Sequence, residues 1–353
     1  MISFSFKHVC IESFAVQFPT TEVTSAEVED KLSGLYTRLG IPFGTLEKLS
    51  GIKTRYLWKN DVAPSDVGTE VAKRALDSVG FAREEVRALF NCSVTRDYFE
   101  PATACLIHRN LGMSEDALVM DITNACIGFS DGIIMLGNLI ESGVVKAGIL
   151  VSPENTSRII DSSLRHLERE PNINREDLIR LLPTFTLGCG AVAYVLCHDS
   201  IATKKHRIVG AVTRAATQFS DLCEGNGDYY MKQSEEIVPI MTTESSKLIS
   251  AASKVGARVW KDASQVFGWS SDDVKHIFCH QVGKQVNEAF YKEMGLDVQK
   301  EYTIYRKYGN LVSAAMPTAL ALGSEEKNLA AGDKVLLTAF GSGLNAIFIG
   351  VEW

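Results

Sequence analysis

A thiol, an imidazole and a carboxamide stand where an α/β chain presents its side chains to ligands: Cys126, His280 and Asn310. Leu118 to Thr123 reads as a strand, and the stretch from Ile127, IGFSDGIIMLGNLIESG, is apolar around most of a helical circumference and ends at Gly143. Cys126 therefore falls at a strand-to-helix junction, where unpaired backbone N–H groups and the positive end of the helix dipole favour a thiolate. The small-residue context Asn124-Ala125-Cys126-Ile127-Gly128 allows close backbone approach and favours a nucleophile over the commoner fate of a buried free thiol. His280 closes the apolar run His276-Ile277-Phe278-Cys279, so its ring emerges at the C-terminal end of a strand, the usual ligand side of an open α/β sheet. A lone histidine there is more often structural. Asn310 follows Gly309 and introduces the helix LVSAAMPTALALG, where it serves either as an N-cap or as a donor to a ligand. Taken jointly, the three residues can form one site.

The elements that must position them show an internal repeat. Val86-Arg87-Ala88-Leu89-Phe90-Asn91-Cys92 lies 188 residues before Val274-Lys275-His276-Ile277-Phe278-Cys279-His280, and each run follows two acidic residues. At the same offset Lys146–Ser152 matches Lys334–Phe340, each after a glycine turn, at Gly143 and Gly332. Strands alternate with helical stretches, the pattern of an α/β protein with right-handed crossovers. Ala63 to Val79 is one such helix, with Val67, Val71, Ala75 and Val79 on one face and Gly80 as its stop. Arg158 to Leu182 is charged and lacks alternation; it reads as a helical or irregular insertion over the surface that lines a substrate entrance. No Pro/Ser-rich linker separates the halves, so the repeats should interlock.

Composition narrows the function classes. The chain has 353 residues, 46% of them hydrophobic, enough for a large core. A formal net charge of −7 and a pI near 5.6 give no general attraction to nucleic acid or to an anionic membrane. Lys204-Lys205-His206-Arg207 is a local basic patch, read as a solvated loop or as an anchor for a phosphorylated cofactor. The eight cysteines include no C-x-x-C pair, which argues against a zinc ribbon or a thioredoxin motif and for a reducing, cytoplasmic setting. The N-terminal residues lack the pattern of a secretory signal, and no run of about 18 apolar residues suggests a membrane span.

Four ordered motifs, DITNACIGFSDG, HQVGKQVNEAF, YGNLVSAAMPTAL and AFGSGLN, resemble those of β-ketoacyl synthase III-like enzymes of the thiolase fold, over essentially the whole chain. The resemblance implies an α/β architecture of two duplicated βαβαβ halves in a five-layer α-β-α-β-α sandwich. The halves are expected at 1–195, carrying the cysteine and a surface insertion at about 155–183, and at 196–353, carrying the histidine and asparagine. It further implies that Cys126 is acylated by a thioester while His280 and Asn310 hold the carbonyl of a second thioester as an enolate develops. Fixed donors at developing negative charge are worth about 10²–10³ in rate each. The turn Phe340-Gly341-Ser342-Gly343-Leu344 resembles the family's glycine turn, whose N–H at Gly343 joins that of Cys126 in an oxyanion hole; a plain hairpin is the alternative.

Within that superfamily, the segment Ser93–Pro101, GIKTRYLW and TLGCGA look like those of OleA-type enzymes, which join two long-chain acyl-CoAs head to head. Cys189 stands where ordinary synthases III show Asp, and OleA-like sequences share that form. The resemblance assigns Glu100 as the base that removes the α-proton in the partner subunit's site, and hence a homodimer; a solvated loop carboxylate is the alternative. It implies fatty acyl-CoA as substrate, coenzyme A only as part of that thioester, no metal or redox cofactor, and downstream hydrocarbon-pathway enzymes as partners. Competing readings are a pyrone- or dione-forming ketosynthase that joins two β-ketoacyl thioesters, a malonyl-dependent synthase III, and a non-catalytic thiolase-fold subunit.

Overall fold

The computed structural model describes residues 1–225 and 240–353. Its strands are β1 (Ile2–Ser5), β2 (Val9–Gln17), β3 (Thr21–Thr24), β4 (Thr54–Leu57), β5 (Val86–Asn91), β6 (Leu118–Asp121), β7 (Ala147–Glu154), β8 (Gly190–His198), β9 (His206–Ala215), β10 (Cys223–Gly225), β11 (Met241–Thr243), β12 (Val274–Cys279), β13 (Lys334–Gly341) and β14 (Asn345–Glu352). In the first half β5 runs parallel to β6 and β7, β7 antiparallel to β8, and β8 antiparallel to β2. The second half repeats the arrangement: β12 is parallel to β13, β13 antiparallel to β14, and β14 antiparallel to β9. The duplication read from the sequence is thus a duplication of topology, with β5 answering to β12 and β7 to β13. The halves join at β9, which pairs with β1 along Gly210–Thr213 and with the start of β2 at His206 and Arg207.

Alternation along the strands builds the layers, because successive side chains face opposite sides of a sheet. Leu89 and Ile149 point outward to Val67, Val71 and Ala75 of the helix Pro64–Asp77, while Phe90 and Leu150 point inward. In the second half Leu336 packs against Val255 and Val259 of the helix Ser245–Phe267, and Leu337 turns inward. Between the sheets lie two buried helices, Gly128–Glu141 and Ala315–Glu326, which share one core through Phe129, Ile133 and Leu136 on the first and Ala315, Ala319 and Leu320 on the second. The result is the five-layer α-β-α-β-α thiolase sandwich. Each large side chain buried in that middle layer contributes about 1.5–3 kcal/mol relative to exposure.

The helix over Pro64–Asp77 starts with Pro in its first turn and carries Asp66 near its beginning and Arg74 near its end, in accord with the macrodipole. The stretch Arg158–Leu182 corrects an expectation. It is helical, one of the two forms expected, as Ser157–Arg169 and Arg175–Leu181, the second capped by Asn174, whose side chain accepts from the Glu176 and Asp177 N–H groups; what differs is that one face of each helix is buried in a core. Ile160, Leu164, Leu167, Leu178 and Leu181 bury themselves against Val28, Leu32 and Tyr36 in a satellite core. The apolar positions recur at helical spacing inside a heavily charged stretch, which hides them from an alternation test.

The middle layer is tight where it begins. A Cβ on Gly128 would lie 2.5 Å from the Cys92 carbonyl oxygen and 3.1 Å from that of Ile122, both backbone atoms. Gly128→Ala is expected to lower the unfolding free energy by about 1–3 kcal/mol, as over-packing does; a urea midpoint equal to wild type would show that the strand and helix can separate freely here.

Candidate active site

Cys126 lies between the end of β6 and the helix Gly128–Glu141, in a loop that turns sharply through Ala125, a non-glycine residue at φ +47°. Such a conformation costs of order 1–3 kcal/mol and persists only where its surroundings enforce it. Here they do. The Ile127 N–H donates to the Asn124 carbonyl (3.1 Å) and Gly128 N–H to the Ala125 carbonyl (3.3 Å). The Asn124 amide donates to Asp131 (3.0 Å) and accepts from Asn345 Nδ2 (3.4 Å), which ties the loop to the start of β14.

His280 immediately follows β12, and its N–H donates to the Thr338 carbonyl at 2.7 Å, extending the pairing with β13. Its ring is buried, and Nδ1 has no hydrogen-bond partner among the described residues. Asn310 is fixed through its backbone, donating to the Thr186 carbonyl (2.8 Å) and accepting from Gly188 N–H (2.9 Å). Its Oδ1 accepts from Val312 N–H at 2.9 Å. This is a turn contact and not the alternative N-cap, since Leu311 and Ala314 cap the helices that follow with no side-chain bond; it occupies the acceptor and leaves the NH₂, a donor, as the group Asn310 can offer a ligand.

The three side chains line one cavity of about 1000 Å³. Leu46, Ile159, Ile179, Leu182, Val286 and Phe340 supply much of its wall, so the 158–182 stretch lines the cavity. Burial governs the electrostatics. It pushes the Cys126 thiol well above its usual range, helped by the charges of Cys223 and Glu154. Desolvation in the cavity thus opposes the thiolate that the helix N-terminus favours. Burial also pulls His280 down to about 4, against an opposing hydrogen bond with the Val312 backbone. At neutral pH the resting pair is thus a thiol and a neutral imidazole, the latter able to take the proton that the thiol must lose when it attacks.

Two further residues share this cavity without having been singled out by sequence: Cys223 and Glu154. Glu154, the last residue of β7, is 0% exposed and held above the usual carboxylate range by burial, with hydrogen bonds from Ser313, Val94 and Thr95 opposing. An acid closing the apolar run AGILVSPE was the available signal. Glu100 is exposed and does not line the cavity of its own chain, whereas Val94–Tyr98 of the same segment do. Gly343 stands at φ +105° in the turn between β13 and β14; its neighbours Gly341, Ser342 and Leu344 line the cavity. A Cβ on Gly341 would meet Ile127 and the Asn124 carbonyl at 3.2–3.3 Å, so this turn packs directly on the nucleophile loop. The basic patch lies elsewhere: Lys204 N–H donates to Glu12, and His206 stacks on Trp353 at 3.7 Å.

His8, His198 and Asp199 bring three metal-type ligand atoms within 4.8 Å of one another outside the cavity. The two rings are stacked at 15°, and His198 Nδ1 accepts from Ser200 N–H, so one ion cannot lie in both ring planes as placed.

Comparison with known proteins identifies the family. Residues 120–216 match the family 3-oxoacyl-(acyl-carrier-protein) synthase III, and residues 265–353 match its C-terminal part. An acyl-CoA:acyl-CoA alkyltransferase of Xanthomonas campestris is 33% identical over 99% of both chains, and one of Shewanella oneidensis is 31% identical over 99% of both. The crystal structure of cerulenin-bound OleA from Xanthomonas campestris superposes with a TM-score of 0.92 at 32% identity, over 99% of this chain and 98% of the other. The fold and site define a thiolase-fold condensing enzyme. Within that class, the chain belongs to the OleA-type acyl-CoA alkyltransferases of the synthase III family.

A histidine held neutral when folded links stability to pH. Its folded pKa of about 4 lies below the ordinary 6.5, so its contribution is present above pH 6.5 and is lost as pH falls toward 4. Between pH 7 and 4.5, wild type is expected to lose about 2–3 kcal/mol more unfolding free energy than His280→Gln. Parallel urea titrations at the two pH values check this, and equal losses would show the ring charges freely in place.

Proposed function

We propose that the chain catalyses the non-decarboxylative, head-to-head Claisen condensation of two fatty acyl-CoAs, giving a 2-alkyl-3-ketoacyl product and releasing coenzyme A. The observation that carries this reading is the single apolar cavity holding Cys126, His280 and Asn310, in a chain similar over its full length to acyl-CoA:acyl-CoA alkyltransferases. In the first step the Cys126 thiol passes its proton to neutral His280 and its sulfur attacks the thioester carbonyl. The oxyanion is taken by the N–H groups of Cys126 and Gly343, and the coenzyme A thiolate leaves with that proton. An acyl-cysteine remains.

In the second step a base takes the α-proton of a second acyl-CoA. Its enolate oxygen is held by His280 and the Asn310 NH₂, the new carbon–carbon bond forms at the acyl-cysteine carbonyl, and the Cys126 sulfur departs. The base is the partner subunit's Glu100 in a homodimer. Exposure of Glu100 outside its own cavity supports that role, as do Tyr98 and Phe99 beside it, 61% and 69% exposed. Neutral donors suit an apolar cavity, since charge appears there only when the enolate does. The reading needs no resident metal or redox cofactor, because coenzyme A arrives with the substrate.

The same reading places the enzyme in the cytoplasm, ahead of enzymes that reduce, cyclise or hydrolyse a 2-alkyl-3-keto product. No helix among the described residues is long and apolar enough to cross a membrane.

Wild type, Cys126→Ala and Glu100→Gln incubated with myristoyl-CoA alone test the assignment by intact-protein mass spectrometry and product extraction. Wild type should acylate and release a β-keto acid or its ketone, and Cys126→Ala should do neither. Glu100→Gln should acylate normally and condense about 10²–10⁴-fold more slowly. Product that forms only with malonyl or β-ketoacyl thioesters would overturn the reading in favour of those synthases.

A further inference from the structure

Glu154 receives more hydrogen bonds than a merely buried carboxylate requires, and they come from two separate parts of the site. One oxygen accepts from the Val94 N–H (2.9 Å), the Ser313 hydroxyl (2.5 Å) and, at 3.4 Å, the Ser313 N–H. The other accepts from the Thr95 N–H (3.1 Å) and the Thr95 hydroxyl (3.0 Å). Val94 and Thr95 begin the segment that ends in Glu100, and Ser313 lies three residues beyond Asn310. The same segment has a second anchor further along. Asp97 accepts from the Ser65 hydroxyl (2.6 Å) and the Thr103 hydroxyl (3.2 Å), so Val94–Asp97 is held at two points and Glu100 projects beyond them.

We propose that Glu154 is a positioning residue for the carbon–carbon bond-forming step, its carboxylate clamping the Glu100-bearing segment and the Asn310-bearing turn to the end of β7. The proposal rests on the reaction assigned above. Its chemistry is specific to a carboxylate: every partner is an N–H or hydroxyl donor, one oxygen bridges both parts of the site through Val94 and Ser313, and the other takes both donors of Thr95. An amide in its place keeps the shape but turns an NH₂ against one set of donors, which must move away. Acylation of Cys126 uses neither Glu100 nor the Asn310 NH₂, whereas condensation uses both. Loss of the clamp should therefore separate the two half-reactions, since a displacement of about 1 Å in a reacting group costs about 10²-fold in rate.

The experiment measures single-turnover acylation of Cys126 by myristoyl-CoA and steady-state condensation, for wild type, Glu154→Gln, Glu154→Asp, Ser313→Ala and Glu100→Gln. In Glu154→Gln, condensation should fall about 10²-fold with acylation within about threefold of wild type. Glu154→Asp, which keeps both acceptor oxygens, should recover part of the loss. Ser313→Ala removes one arm only and should slow condensation about tenfold, which keeps the test available if Glu154→Gln folds poorly. Acylation and condensation falling together, neither falling, or an Asp variant no better than Gln would overturn the positioning role. Wild type that condenses no pair of acyl-CoAs removes the reaction assignment instead, and the same ratio of half-reactions is then read with the donor that wild type accepts. Wild type that condenses acyl-CoAs beside an unaffected Glu154→Gln removes the positioning role alone.

Discussion

Two sheets share one layer of helices, and the rest of the molecule follows from how little room that layer has. Each half contributes a single helix to it, and each helix must lie against both sheets and its counterpart. Small residues meet that demand: a Cβ on Gly128 would strike the backbone of Cys92, and one on Gly323 would come within 2.4 Å of the Phe278 ring. Cys126 precedes the first of these helices and Asn310 the turn that leads into the second, while His280 ends the strand beside them. The site is where the two middle helices begin, so the packing that stabilises the fold also sets the distances on which the chemistry depends.

That location fixes the electrostatic character of the site. Enclosure among apolar side chains keeps the thiol protonated and the imidazole neutral, so the resting cavity suits a fatty chain better than a charged intermediate. Donors that need no ionisation, an amide NH₂, a neutral ring and backbone N–H groups, remain available for the moment at which an oxyanion or enolate forms. Glu154 stands in the same surroundings, where burial raises its carboxyl and five donor groups oppose that rise.

Much of this was legible in the sequence, for identifiable reasons. The 188-residue offset between Val86 and Val274 marks strands that occupy equivalent places in two sheets, and buried strands repeat their apolar character faithfully. Cys126, His280 and Asn310 were readable because each abuts the end of an apolar run. Three features were not. Glu154 draws its partners from positions about 60 and 159 residues away, and no local pattern encodes such a meeting. The thiol's protonation state depends on which side chains close around it, a property of the assembled cavity and not of the strand-to-helix turn. In 158–182 the charge on the outer faces of two helices masked the apolar faces that pack on Tyr36.

The pairing of β1 with β9 bears on how the chain assembles. Strands β2, β5, β6, β7 and β8 all lie within the first 198 residues and can complete their sheet among themselves. The first strand has no place in that sheet: Ile2 sits opposite Thr213 and Ser5 opposite Gly210. During vectorial synthesis, β1 must stay unpaired until β9 has emerged, while the half to which it is joined is already able to form. Such distant pairings are formed late because loop closure precedes their reward. The N-terminal strand then acts as a latch, drawn across from one finished half to secure the other, and a chain cut between the halves would leave the second sheet with an open edge along β9.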